Sequence, residues 1–340
     1  MIVTDKLRIG TRGSPLALRQ TSHVIDLITT HHIDLKQPGA METVVIKTTG
    51  DREQGRLLSE IGGKGLFTKE LDEAMLRGDI DIGIHSMKDM PTVMPEGITL
   101  HAISQRLDPR DAFISQKART VTELPQRAIV GTASLRRKAQ LLNLRPDLQV
   151  VSLRGNIDTR LQKIIDGDVD ATLLAFAGLS RLGKENEITA MMDLNEVLPA
   201  VGQGILAATC REGDLRATML IKSLLHPATT IAVLAERAML AALDGSCQTP
   251  IAGYAQIDED QKLTLHGIIF RPDGTEKVEI KSSGNATEAE KLGSSVAEKL
   301  IMEAGPSLLN AIKKEKPIII EPPKNIEPDR DIHMNNSEDR

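Results

Sequence analysis

Short apolar runs alternate with stretches of helical spacing along most of the chain. Leu7 to Gly10 predicts a short strand, and Ser14 before Pro15 predicts an N-cap followed by proline at the first helical position. The helix they open runs through Leu16, Leu18, Val24 and Ile28. Met41 to Lys47 predicts a second strand. Gly62-Gly-Lys-Gly65 predicts the start of a helix through Leu66, Leu71 and Met75, closed by Gly78. Ile80 to Ile84 then alternates apolar residues with Asp81 and Gly83, the pattern of a half-buried strand. Lys88 and Asp89 follow at once, and Pro91 ends regular pairing there. An ionisable pair at the carboxyl end of a strand is where open α/β sheets place ligand groups, although a Lys-Asp dipeptide is by itself more often a solvated surface pair.

From about residue 110 the pattern repeats. Ala128 to Leu135 echoes Ile9 to Leu16, Val150-Val151 before Gly155 echoes Val44-Val45 before Gly50, and Gly167 to Leu173 echoes Gly78 to Ile84. Three landmarks recur in the same order at different separations, so the echo predicts two similar α/β units and not a periodic repeat. Each unit offers a serine-capped helix N-terminus whose free N–H groups and dipole favour an anion. Two such units facing one another would enclose a cleft with anion sites on both walls.

Ile205 to Thr209 reads as a buried strand crossing back. Thr229 to Leu243 reads as a strongly apolar helix stopped by Gly245. Candidate strands at Tyr254 to Ile257, Leu263 to Phe270 and Lys277 to Lys281, with a helix from about Glu288 to Glu303, predict a smaller α+β unit. Residues 312–340 hold four prolines among dense mixed charge and predict a mobile tail.

Composition narrows the function. Among 340 residues, 40% are apolar and 26% charged, which suits a globular protein of two or three domains. No run reaches the length of a membrane span, and the first thirty residues lack a signal-peptide core, so a cytoplasmic location is expected. The net charge of −5 and only five aromatic residues argue against nucleic acid. Two cysteines, Cys210 and Cys247, make neither a disulfide framework nor a metal site, and no metal is expected from the scattered histidines. P-loop, dinucleotide and serine-hydrolase motifs do not fit.

Against this acidic background the arginines fall at element ends: Arg12 in the first capped turn, Arg136 and Arg137 in the matching helix start, Arg154, Arg160 and Arg181 after the second unit's strands. Arginine binds carboxylate and phosphate through two parallel N–H groups, so the cleft suits a ligand with several anionic groups. Basic residues at a helix start oppose its dipole, a modest cost that an anion would relieve. Cys210 ends an apolar run and reads as packing. Cys247 lies in a turn-rich loop, Leu243 to Pro250, where an electrophile can reach it.

Several of these stretches together resemble the porphobilinogen deaminase (hydroxymethylbilane synthase) family. They are Arg12-x-Ser14-Pro-Leu-Ala-Leu18, Gly62-Gly-Lys-Gly-Leu-Phe67, His85-Ser-Met-Lys-Asp89 and Asp108-Pro-Arg-Asp-Ala-Phe113. Gly131-Thr-x-Ser-Leu-Arg-Arg137, Leu153-Arg-Gly-Asn156, Leu198-Pro-Ala-Val-Gly-Gln-Gly204 and Gly245-x-Cys-Gln-x-Pro250 complete the set. The resemblance covers residues 6 to 310.

It implies two α/β domains like type II periplasmic binding proteins facing a cleft, plus a smaller C-terminal α+β domain. The boundaries are 1–104 with 205–222, then 105–204, then 223–311, with 312–340 as the tail. It implies that Cys247 carries one dipyrromethane cofactor per chain through a thioether, made by the enzyme from its own substrate. Porphobilinogen would lose ammonia to give an azafulvene-type electrophile; four units would be added and released with water as hydroxymethylbilane. The product would pass to uroporphyrinogen-III synthase without a stable complex, and the enzyme would act as a monomer.

Asp89 matches the family's catalytic aspartate. Lys88, Thr132, Ser134, Arg136 and Arg137 are assigned to the cofactor, and Arg12, Ser14, Lys64, Arg154, Arg160 and Arg181 to substrate and chain carboxylates. Glu60 departs from the family, which often has lysine there, and reverses a charge near Lys64. A rival anion-binding sensor would explain the arginines and leave Cys247 and Asp89 without work. A cysteine hydrolase would need a histidine that the sequence does not nominate.

Overall fold

The computed structural model describes residues 6–52, 67–246 and 249–314. The predicted start of a helix at Gly62 to Gly65 lies outside these residues, as do Glu60, Lys64, Cys247 and the tail from 315 onward.

Two five-stranded sheets and one three-stranded sheet carry the architecture. The first contains β1 (Leu7–Arg12), β2 (Met41–Ile46), β3 (Ile82–Ser86) and β4 (Ile98–Ile103), with helices α1 (Pro15–His31), α2 (Thr49–Arg52) and α3 (Lys69–Leu76) between strands. The second contains β5 (Asp111–Ser115), β6 (Ile129–Gly131), β7 (Gln149–Val151), β8 (Ala171–Ala175) and β9 (Ala190–Met191). Its helices are α4 (Leu135–Leu144), α5 (Ile157–Ile165) and α6 (Phe176–Arg181). The chain then returns to the first sheet as β10 (Leu206–Arg211), followed by α7 (Leu215–Lys222).

The strand orders are β2-β1-β3-β10-β4 and β7-β6-β8-β5-β9. In each, one strand pairs parallel with two neighbours, and an antiparallel strand is inserted beyond them. Even the short central register matches: Gly10 stands opposite Gly83, and Gly131 opposite Thr172. The echo in the sequence is therefore a structural duplication, and the chain passes between the units twice, once before β5 and once before β10.

The half-buried strand expected at Ile80 to Ile84 is shifted to Ile82–Ser86 and buried along its length except at Ser86. β3 lies mid-sheet between β1 and β10, with Val24 and Ile28 of α1 in the core on one face and Leu71 and Met75 of α3 beside Ile80 on the other. Asp81, just before the strand, is tolerated because Arg8 donates to it from backbone and guanidinium, and Arg211 from a second side. Those bonds outweigh burial and hold its carboxyl below the usual range.

The third unit packs α8 (Pro227–Ala242) and α9 (Ala289–Lys314) on the antiparallel sheet of β11 (Ile251–Ile257), β12 (Lys262–Phe270) and β13 (Lys277–Asn285). α9 outruns its predicted end and bends at Gly305-Pro306, so residues 312–314 are helical and not part of a tail. α8 is stopped by Asp244, not Gly245. Asp244 takes the left-handed conformation at φ 50°, and the N–H groups of Asp244 and Gly245 close on the carbonyls of Ala241 and Leu240. Glycine is needed at 245 for closeness: a Cβ there would stand 2.6 Å from Leu240 Cδ1 and 2.7 Å from Ile251 Cδ1.

One buried carboxylate fastens this unit to both crossovers. Glu236 of α8, with no exposed surface, accepts from Arg106 Nη1 (2.5 Å), Gly202 N (2.7 Å) and Ala255 N (2.7 Å). Removing the carboxylate strands a guanidinium and two N–H groups. Glu236→Leu is expected to lower unfolding stability by about 3–5 kcal/mol, measured by denaturant titration.

Candidate active site

A cavity of about 880 Å³ lies between the two five-stranded units. Its walls come from the carboxyl ends of parallel strands and the helix starts that follow them, where open α/β sheets bind ligands. Arg12 and Ser14 follow β1, Lys88 and Asp89 follow β3, Thr132 and Ser134 follow β6, and Arg154 follows β7. Arg136, Arg137, Arg160 and Arg181 complete the set expected from the sequence, so every described member of it lines this one cavity. Ser246 and Thr249, which flank Cys247 and its neighbour, line it as well. Thr249 N donates to Ser246 O at 3.1 Å.

Nine cationic side chains line the cavity against two carboxylates, Asp89 and Asp158, in a chain whose net charge is −5. Burial in this wall bears on the cations themselves. Burial, then Arg137 and Arg154, pull Arg160 down to about 10. Burial pulls Arg181 down to about 10 and lowers Arg154. Burial disfavours the charged form of each, a cost that an anionic ligand would reduce.

Local geometry fixes each donor. Arg12 stacks over the Phe67 ring at 4.3 Å. Arg160 Nε donates to Gly155 O (2.9 Å) and Arg181 Nη2 to Gly204 O (3.0 Å), so both stems are held while other N–H groups remain for a ligand. The two serines cap their helices as expected: Ser14 Oγ accepts from Ala17 N (3.2 Å) and Ser134 Oγ from Arg137 N (3.4 Å). A hydroxyl that accepts at a cap still has its own hydrogen to donate to an anion. Thr132 shapes the second turn, accepting from Ser134 N at 3.2 Å.

Lys88 and Asp89 lie in a single 3-10 turn, Met87–Asp89, packed against the second crossover. Gly202 there adopts φ +71°, and a Cβ on it would come within 2.6 Å of Met87 Cγ. Burial pulls the Lys88 ammonium down to about 8; Asp89 opposes the shift, and Arg137 adds to it. In protein free of cofactor (Cys247→Ser), amine-reactive labelling at pH 8 is expected to mark Lys88 ahead of lysines of ordinary pKa, about 10.4. A Lys88 rate no greater than theirs would contradict this. Asp89 has no hydrogen-bond partner among the described residues, so its carboxylate is available to a ligand.

The sequence missed the groups behind the arginines. Arg136 and Arg137 are buried, not loosely placed at a helix start, and both pair with the one carboxylate of Asp111, which offsets part of the cost of their charges. Asp111 sits in the apolar run Asp111-Ala-Phe-Ile114, and a carboxylate in such a run demands a partner. That signal was readable. Gln20, which donates to Ser86 Oγ at 2.9 Å in the cavity wall, gave no comparable signal.

The donor set fits a small polycarboxylate: six guanidinium groups, three ammonium groups and two helix starts converge on one cavity around Asp89, whose carboxylate has no hydrogen-bond partner among the described residues. Fold and site thus define a two-lobed α/β protein built to enclose a compact polyanion. Comparison with known proteins narrows the class. Residues 7–219 match the family model described as porphobilinogen deaminase, dipyromethane cofactor binding domain, and residues 230–302 match the porphobilinogen deaminase C-terminal domain. The chain belongs to the porphobilinogen deaminase family.

It is 47% identical over 311 residues to the chloroplastic porphobilinogen deaminase of Pisum sativum, covering 91% of this chain and 84% of the relative. It is 49% identical over 297 residues to porphobilinogen deaminase of Nitrobacter winogradskyi, covering 87% of this chain and 93% of that one. Among solved structures it is similar to a periplasmic substrate-binding protein of an ABC transporter from Coxiella burnetii. That match has a TM-score of 0.41 and 15% identity, covering 68% of this chain and 96% of that one.

Proposed function

We propose that this chain catalyses the hydroxymethylbilane synthase reaction: four porphobilinogen molecules are joined with loss of one ammonia each, and the linear product is released with water. The observation that carries the reading is the cavity itself, nine cations around one unbonded carboxylate. Each pyrrole of the substrate carries an acetate and a propionate, so a growing chain is a polyanion of the kind these walls suit.

When bound, the dipyrromethane supplies the pyrrole end to which the first substrate unit is joined. Cys247 is its proposed point of attachment, and Lys88, Thr132, Ser134, Arg136 and Arg137 would hold its carboxylates. Arg12, Ser14, Lys64, Arg154, Arg160 and Arg181 would hold those of the substrate and the growing chain. Asp89 would accept the pyrrole N–H groups, offset positive charge that develops on the reacting ring, and move protons at its carboxylate oxygens.

The domain division supported by the pairing of β10 with β3 and β4 is 1–104 with 205–222, then 105–204, then 223–311. The cavity is walled within one chain, which fits action as a monomer. The cytoplasm is the proposed location, and handover of product to uroporphyrinogen-III synthase needs no stable complex. Among the described residues, no helix is long and apolar enough to cross a membrane.

Arg136→Leu tests the cofactor assignment. Purified variant is expected to contain mainly unmodified chain by intact-mass spectrometry. Full loading would remove Arg136 from that role.

A further inference from the structure

Asp111 opens β5 with no exposed surface, and four donors converge on it. Its Oδ2 accepts from Arg136 Nη2 (2.7 Å) and Arg137 Nε (3.2 Å). Its Oδ1 accepts from Arg137 Nη2 (2.8 Å) and Gln203 Nε2 (2.8 Å). The Gln203 amide cannot be turned round. Its nitrogen also donates to Pro109 O at 2.6 Å, and an oxygen in that place would face a carbonyl and a carboxylate, lone pair against lone pair. One carboxylate is thus joined to both crossovers and to two cavity-lining arginines at once.

Two guanidinium groups side by side in the first turn of α4 repel each other and oppose the helix dipole. A counter-charge behind them relieves that repulsion and gives both an edge to bind. Arg137 turns the Nε–Nη2 edge to Asp111, and Arg136 is fixed from the other side by Nη1 donating to Leu198 O at 2.7 Å. In each, the N–H groups outside these bonds remain for the cavity that both residues line.

We infer that Asp111, seated by Gln203, is the positioning residue that aims Arg136 and Arg137 into the cleft and ties their direction to the two crossovers. The inference rests on the proposed role of these arginines toward the cofactor, and gives work to two residues that the role itself does not involve.

Asp111→Asn keeps the side-chain shape and one acceptor and removes the charge. Thermal unfolding first sets a working temperature at which the variant is fully folded. Intact mass then gives the loaded fraction, and steady-state rates per loaded molecule give kcat and KM. The loaded fraction and kcat are both expected to fall, kcat by at least about tenfold, the scale on which ångström-sized misplacement acts. KM for porphobilinogen should stay within about twofold, because the proposed substrate contacts do not touch Asp111. Folded Asp111→Asn with full loading and wild-type kcat would overturn the inference, since an ion pair that only stabilises the fold moves the melting temperature alone.

If Asp111→Asn does not fold, Gln203→Met serves, because it leaves both ion pairs and removes the amide that donates to Asp111 and to Pro109 O. Assayed below its own, lowered melting temperature, it is expected to lower kcat several-fold, and wild-type kcat in that folded variant would equally overturn the inference. Absence of added mass in the wild-type chain would instead sink the cofactor reading beneath it, so the two failures are told apart.

Discussion

Cys247→Ser is expected to run at the mass of the bare chain and to lose all measurable turnover of porphobilinogen, while the wild-type chain carries the added mass of two linked pyrrole units. The loop that holds Cys247 follows the Asp244–Gly245 stop of α8, and its flanking residues Ser246 and Thr249 line the cavity. The expectation rests on the proposed attachment at Cys247: a thiol is the better nucleophile toward an electrophile at neutral pH, and a serine hydroxyl the poorer one. Intact-mass spectrometry of both proteins decides it. Active wild-type chain at its unmodified mass would exclude covalent attachment altogether.

The second large effect is expected from Asp89→Asn. The amide keeps the shape of the side chain and loses both the charge and the ability to take a proton. Its surroundings make that loss serious: Asp89 interacts electrostatically with Lys88 and Arg160, and among the described residues the cavity holds one other carboxylate, Asp158, which is paired with Lys184 at 2.8 Å. No neighbour can stand in. A positioned acid–base group contributes about 10²–10⁴-fold, so kcat should fall by at least about a hundredfold. Cofactor loading should persist, because the groups proposed to hold it are intact. Near-normal rates, measured by product formation per loaded molecule, would remove Asp89 from the chemistry.

Much of the fold was legible. Ser14-Pro15 and Ser134 marked two helix starts to the residue, and the three paired landmarks pointed to a duplication that the matching strand orders bear out. The site was legible for a related reason: ligand groups at strand ends fall in turns, and turns interrupt the apolar pattern visibly. Legibility failed where long-range contacts decide. Asp81 looked solvent-facing because alternation reports one strand, whereas its burial depends on Arg8 and Arg211 arriving from distant segments. Asp244 displaced the expected glycine stop because Gly245 is required for its closeness to Leu240 and Ile251.

The sequence by itself determined the elements, the doubled α/β plan, the cationic character of the cleft and, through its motifs, the family. These depend on local propensity and on charges that keep their sign wherever the chain carries them. Only the tertiary structure decided which charges are available. It buried Arg136 and Arg137 against Asp111, left Asp89 without a hydrogen-bond partner among the described residues, and fastened Glu236 to both crossovers. A charge is consumed or left for a ligand according to what stands within about 3 Å of it, and residues 111, 136 and 203 reach that distance only after the two crossovers have been laid side by side.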